Sequence, residues 1–177
     1  MNVETVICVI LQNPETKAVL IQNGKQKYPS CSFPGGHVEQ GESIYDCAAC
    51  EVKEETRLDV YNLKYCGVVH WANRENNDRY LCFMYKTTEF NGELITENAE
   101  GSQFWLSIDE LFAAGKEKLS SVHYALSPLF YTYGKYSEVF ILHSGDESIW
   151  EVSCFFNLFL NIAANISICI DLLRILH

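Results

Sequence analysis

The sequence predicts an α+β fold, a mixed β-sheet flanked by helices, with a C-terminal amphipathic helix. Three observations carry this. Short β-branched runs, beginning with Val3 to Leu11, read as strands. The stretch Ser43 to Thr56 reads as a helix with a serine at its N-cap. Strands flank that helix on both sides in the chain, an order that suits one sheet covered by helices.

The elements follow in order. After the first strand, Asn13-Pro14-Glu15-Thr16 is a turn and Ala18 to Gln22 the returning strand. Asn23 to Ser32 is polar, contains Gly24 and Pro29, and reads as a loop. Pro34-Gly35-Gly36 is a strong breaker ahead of the helix, where Ser43 caps and Asp46 is its capping-box partner. Leu63 to Trp71 and Arg79 to Thr87 are strands joined by the polar stretch Ala72 to Asp78. Asn91-Gly92 is a turn signal, Gln103 to Leu106 a short strand, and Ser107 caps a further helix. A late helix from about Ser121 to Tyr131 and a last short strand, Glu138 to His143, complete the expectation.

The chain has 177 residues, the size of one domain with an appendage. Hydrophobic residues are 48% and charged residues 20%, enough apolar surface to build a core and to exclude wholesale disorder. The 13 basic and 23 acidic residues give a net charge of −10, which argues against binding a nucleic acid polymer. A small phosphate ligand stays open, because a divalent cation held by carboxylates inverts the local charge. The eight cysteines include several inside strand-like runs, such as Ile7-Cys8-Val9 and Leu81-Cys82-Phe83. No basic region precedes an apolar stretch at Met1, so the cysteines read as reduced core residues and the expected localisation is cytoplasmic.

The expected domain spans 1–152, and 153–177 is an apolar helical tail. From Cys154 onward Ile, Leu, Phe, Ala and Cys predominate, and Asn157, Asn161 and Asn165 repeat every fourth residue. That is an amphipathic helix with a wide apolar face. Three readings stay open: docking on the domain or on a second copy (a homodimer), a membrane contact that the central asparagines disfavour, and a tail outside the functional unit.

Glu51, Glu54 and Glu55 stand at i, i+3 and i+4, within about 100° of helix arc. Like charges so close repel, and a hard cation such as Mg²⁺ or Mn²⁺ removes the penalty. The glycines ahead of the helix let the backbone approach a ligand closely. Taken as a bare triplet, the acids read first as a solvated acidic face of a surface helix. Cys47-x-x-Cys50 raises a zinc or redox reading, but no second close pair accompanies it.

The whole stretch resembles the Nudix box, G-x5-E-x7-R-E-U-x-E-E-x-G-U, with U a bulky apolar residue. Gly36, Glu42, Glu51, Val52, Glu54, Glu55 and Leu58 match in register. The resemblance continues through Arg79 to Tyr85 and Phe104-Trp105-Leu106 as far as Glu110-Leu111, covers roughly 3–145, and is similar to bacterial MutT-like hydrolases. It implies an α/β/α Nudix-type sandwich. Two positions depart from the pattern: Cys50 stands where the box has arginine, and Arg57 where it has glycine. In the family that arginine helps orient the catalytic glutamates, and a thiol cannot replace five guanidinium donors.

The resemblance implies a metal site of Glu51, Glu55, Glu54 and the Gly36 carbonyl, with Glu54 and Glu51 also catalytic and Glu42 structural. Family members add an acid from a distant loop; Glu97 and Glu100 are the candidates, Glu100 preferred. His37, Arg79 and Tyr80 are the candidate substrate-binding residues, with a loop hydrogen bond, a surface arginine and a core tyrosine as their plain alternatives. Tyr80 or Phe83 is a ring to stack on a base, and alternation along the strand makes one of them core. The implied function is Mg²⁺-dependent hydrolysis of a nucleoside triphosphate, 8-oxo-dGTP among the candidates, to monophosphate and pyrophosphate. The alternatives are a hydrolase of ADP-ribose or another nucleoside diphosphate derivative, and a weakly catalytic nucleotide-binding module.

Overall fold

The computed structural model describes residues 1–24, 31–99, 101–107, 109–110, 137–144 and 147–154. Within them the strands are β1 (Val3–Leu11), β2 (Val19–Gly24), β3 (Cys31–Ser32), β4 (Asp59–Tyr61), β5 (Lys64–Asn73), β6 (Arg79–Thr87), β7 (Glu89–Asn91), β8 (Gly101–Leu106), β9 (Ser137–Ser144) and β10 (Glu147–Cys154). The helix α1 runs over Ile44–Thr56.

A five-stranded mixed sheet has the order β1-β6-β5-β9-β10, with β1 parallel to β6 and β5 parallel to β9. A three-stranded sheet, β3-β2-β8, and a small pair, β4-β7, complete the described topology. β1 explains its own apolar run: Val6, Cys8 and Ile10 enter one core cluster, while Ile7, Val9 and Leu11 enter the other. A strand buried on both faces reads as a continuous hydrophobic stretch rather than an alternating one. The first cluster also takes Val19, Ile21, Phe33, Met84, Val139 and Ile141; the second takes Cys47, Ala48 and Val52 of α1 with Leu58 and Leu63.

The outer edge of β1 is covered by the glycine turn. Ile7 N–H donates to the Gly36 carbonyl at 2.9 Å, Val9 N–H to Pro34 at 2.8 Å, and Val38 N–H to Thr5 at 2.9 Å. These bonds satisfy an edge that would otherwise be open. They also fix where the chain enters α1.

The start of α1 follows the sequence expectation. Ser43 Oγ accepts from Asp46 N–H at 3.0 Å and donates to the Asp46 carboxylate at 2.8 Å. At its other end Arg57 adopts φ 64°, ψ 9°, the left-handed conformation in which the box carries glycine, and its N–H still closes on the Lys53 carbonyl at 2.9 Å. Lys53 Nζ braces the exit, donating to Arg57 O at 3.3 Å and to Asp59 at 2.7 Å.

Other expectations meet the structure with small differences. The turn after β1 is an Asx turn, Asn13 Oδ1 accepting from Glu15 and Thr16 N–H at 2.9 and 3.0 Å. Ser107 and Glu110 form a capping box, Glu110 N–H donating to Ser107 Oγ at 3.2 Å. Ser107 Oγ and Ser107 N–H donate to the Glu110 carboxylate at 2.6 and 3.0 Å and hold it below its ordinary range. Three features were not foreseen. Asn23-Gly24 and Cys31-Ser32, expected within the loop Asn23 to Ser32, are the end of β2 and the strand β3, because β8 and β3 pair with β2 there. The β4-β7 pair joins two three-residue strands about thirty residues apart in the chain, Asp59 opposite Asn91, each too short to show a period. β10 pairs with β9 along its length and ends at Cys154, where the composition of the tail begins. Residues 25–30 of the expected loop, the expected helix Ser121 to Tyr131 and residues 155–177 of the expected tail lie outside the described residues. No helix among the described residues is long and apolar enough to cross a membrane.

A non-glycine residue in the left-handed region costs on the order of 1 kcal/mol. Replacing Arg57→Gly is expected to raise the melting temperature by about 2–4 °C in a thermal scan. An unchanged or lower value would mean that the Arg57 side chain compensates for its backbone strain.

Candidate active site

Both glycines of the turn are required by space. A Cβ on Gly35 would run into the Ile7 carbonyl oxygen and come within 2.9 Å of Cys8 Cα. A Cβ on Gly36 would stand 2.5 Å from each oxygen of the Glu51 carboxylate. The turn is therefore pressed on β1 from one side and on α1 from the other. The Gly36 carbonyl, a candidate ligand, accepts from Ile7 N–H and keeps a second lone pair.

The helix divides its three acids. Glu55 is buried at 7% exposure, and its Oε2 accepts from Gly35 N–H at 2.9 Å. Glu51 is half-buried with its carboxylate at Gly36, whereas Glu54 is exposed. Among the described residues no three His, Cys, Asp or Glu side chains stand close enough to hold a metal ion. The expected three-carboxylate cluster is thus two carboxylates at the turn with a third on the flank. Helical geometry explains the division: residues four apart differ by about 40° around the axis, while the intervening residue lies about 60° to the other side.

Mg²⁺ is held by one or two carboxylates, the remaining positions going to water and substrate phosphates. Two carboxylates at a glycine cradle, with the Gly36 carbonyl beside them, fit such an ion. Glu51 and Glu55 would hold it, and Glu54 faces the solvent.

Glu42 lies in the loop before α1. Its carboxylate accepts from Glu39 N–H at 3.1 Å and stands beside the Cys47 thiol. Cys47 also donates to the His37 carbonyl at 3.4 Å. Burial first, then Glu42, push the Cys47 thiol up to about 12, so it stays protonated at neutral pH. Cys50, three residues on, is exposed. The pair Cys47 and Cys50 therefore faces different environments, and the zinc reading of that spacing finds no support. The described cysteines, Cys8, Cys31, Cys47, Cys50, Cys66 and Cys82, are all free thiols.

His37 and Tyr80 come to one region. The exposed His37 ring stands 4.0 Å from the Glu4 carboxylate, and Glu4 lines a groove of about 220 Å³ with Trp71, Arg79, Tyr80 and His143. Tyr80 packs edge-on against Trp71 at 5.1 Å, and burial raises its hydroxyl above the ordinary range. Arg79 lies at the same groove with its guanidinium tied to His70 Nε2 at 3.1 Å and Asn77 Oδ1 at 2.9 Å. Phe83 belongs to the other core, packed beside Tyr65. A slightly larger cavity, about 250 Å³ among Gln12, Lys64 and Lys86, lies at the far end of β1. Neither lining includes a box acid; the groove is linked to the glycine turn through the Glu4–His37 contact, which makes it the better candidate for the substrate.

Glu97 is exposed and pairs with Ser102 through a single bridge; Glu100 lies outside the described residues. Sequence reasoning missed Asn98 and Gln103. Asn98 Nδ2 donates to the Glu55 carbonyl at 2.8 Å and Gln103 Nε2 to the same oxygen at 3.2 Å. Their only sequence signal is proximity to the Phe104-Trp105 run.

The profile of the NUDIX domain family matches residues 1–130. The chain is 39% identical over 66 residues to a protein of Vibrio atlanticus (strain LGP32) named NAD-capped RNA hydrolase NudC, covering 37% of this chain and 24% of that one. It is 24% identical over 107 residues to an uncharacterized Nudix hydrolase, YvcI, of Bacillus subtilis (strain 168), covering 59% and 65% respectively. The chain thus spans between 24% and 65% of the length of these curated relatives. Among solved structures, a mutator MutT protein of Bacillus halodurans superimposes with a TM-score of 0.71 at 21% identity, covering 85% of this chain and 97% of its own. A MutT protein of Methanosarcina mazei Go1 gives 0.63 at 17% identity, over 76% and 96%. Likeness at these identities shows the fold.

Substituting the two glycines separates their roles. Gly35→Ala meets backbone and is expected to destabilise by about 1–3 kcal/mol in urea titration. Gly36→Ala meets a side chain that can swing aside, so a smaller loss is expected. The reverse order would mean that Glu51 is the more rigid neighbour.

Proposed function

This chain belongs to the Nudix family, and from that premise we propose that it hydrolyses a phosphoanhydride bond of a nucleoside triphosphate, releasing a nucleoside monophosphate and pyrophosphate. The observation that carries the reading is the pair of carboxylates, Glu51 and Glu55, held against a glycine turn too tight for any side chain. Mg²⁺ is the proposed cofactor, with Mn²⁺ able to replace it. Such an ion supplies charge neutralisation at the phosphates and a more acidic bound water.

The residues around it divide the work. Glu51 and Glu55 bring negative charge to one point on a rigid helix, which favours a cation there over bulk water. Glu54, exposed on the flank, accepts the proton of the attacking water. The groove lined by Glu4, Trp71, Tyr80 and His143 receives the nucleoside, with His37 at the junction between groove and turn. Trp71 and Tyr80 offer aromatic surface to a base; Glu4 offers an acceptor for a base amino group.

A second reading has its own support. The relatives named NAD-capped RNA hydrolase favour a nucleoside diphosphate derivative, such as ADP-ribose or a dinucleotide, as substrate. The products separate the two: a triphosphate yields pyrophosphate, a diphosphate derivative yields two monophosphates. A third reading, a nucleotide-binding module with weak catalysis, rests on Cys50 and Arg57.

The expected outcome of a panel including 8-oxo-dGTP, the ordinary triphosphates and ADP-ribose, with and without Mg²⁺, is metal-dependent pyrophosphate release. Glu54→Gln is expected to slow it by at least about 100-fold. Equal rates in the two proteins would remove the catalytic claim. Cys50→Arg is expected to raise kcat by restoring a guanidinium beside the acids; no change would show that the family arginine's role is not vacant in this chain.

A further inference from the structure

We propose that Asn98, seconded by Gln103, is a positioning residue that holds Glu55 in place from the far end of the same residue. The inference deepens the metal-site reading above, but its first readout does not depend on metal or activity. Glu55 lies in the last turn of α1, where carbonyls lack intrahelical donors. Its carbonyl receives two amide donors, Asn98 Nδ2 at 2.8 Å and Gln103 Nε2 at 3.2 Å. Its carboxylate accepts from Gly35 N–H at 2.9 Å. One residue is thus gripped at the main chain from the β8 side and at the side chain from the glycine turn.

Asn98 is itself set before it reaches Glu55. Its N–H donates to the Gly101 carbonyl at 2.9 Å, and its Oδ1 accepts from Gly101 N–H at 2.9 Å. Because Gly101 N–H needs an oxygen, the Asn98 amide has one orientation, with its NH₂ toward Glu55. Gln103 is held by its main chain, its N–H on the Thr96 carbonyl at 2.9 Å, and is 2% exposed. Beside them Ile95 N–H donates to the Thr56 carbonyl at 3.1 Å. A ring of donors from 95–103 therefore closes the end of α1. A shift of about 1 Å in a ligand is enough to lower a rate about 100-fold, so a rigid stop at Glu55 has a functional consequence.

Asn98→Asp isolates the contact: the oxygen that accepts from Gly101 remains and the donor to Glu55 is lost. Amide hydrogen exchange at Gly35 N–H is expected to speed up about tenfold, because its acceptor is loosened. Val9 N–H, which donates to Pro34 on the same turn, is the internal reference and is expected to hold its rate. Asn98→Ala repeats the test without an added charge and is expected to weaken Mn²⁺ binding by about tenfold in calorimetry. Asn13→Ala, which removes the remote Asx turn, is the matched control and is expected to leave Gly35 exchange unchanged. Unaltered Gly35 exchange in both Asn98 variants, or Gly35 and Val9 accelerating together, overturns the proposal. A native protein that hydrolyses no nucleotide would remove the proposed function while leaving the Gly35 result to decide this one.

Discussion

The structure depends on the main-chain seam between β1 and the glycine turn. Three hydrogen bonds, at Ile7, Val9 and Val38, cover the edge of the strand that feeds both cores. The seam is close enough that Gly35 has no room for a Cβ against Ile7. It decides where the chain turns into α1, and so which helix positions face the turn. Glu51 and Glu55 meet the glycines because the seam leaves the helix nowhere else to start.

The burial of Glu55 follows from this arrangement. A carboxylate at 7% exposure needs partners, and Glu55 has Gly35 N–H for one oxygen. Its main-chain oxygen is also occupied, by amides from a segment some forty residues on (Asn98 lies 43 positions along the chain). The helix is braced at both ends by different parts of the fold: Ser43 and the glycine turn at the start, the approach to β8 at the finish. Packing of Cys47, Ala48 and Val52 on Ile7, Val9 and Leu11 fills the space between.

The two departures from the box act on different links of the chain of cause. Arg57 affects the backbone alone: the helix ends in the left-handed conformation regardless, with Lys53 bracing the exit. Cys50 lies one residue from Glu51 on α1. It is exposed and cannot supply the planar donors that would reach neighbouring carboxylates. The fold tolerates both substitutions because neither residue enters a core cluster.

The sequence by itself determined the local elements and the register of the acids. The Ser43 cap, the Asn13 turn and strands β1 and β6 all follow from rules acting within a few residues. It also fixed Gly36, Glu42, Glu51 and Glu55 in one frame, since helical spacing is a property of the chain. Only the tertiary structure decided that Glu51 and Glu55 face the turn while Glu54 points outward, that Arg79 is tied to His70, and that Asn98 and Gln103 reach the Glu55 carbonyl. Those contacts join residues far apart in the chain, or depend on the rotation of a helix set by its packing. Periodicity places residues on a face; which neighbour that face meets is settled by the layers that close over it.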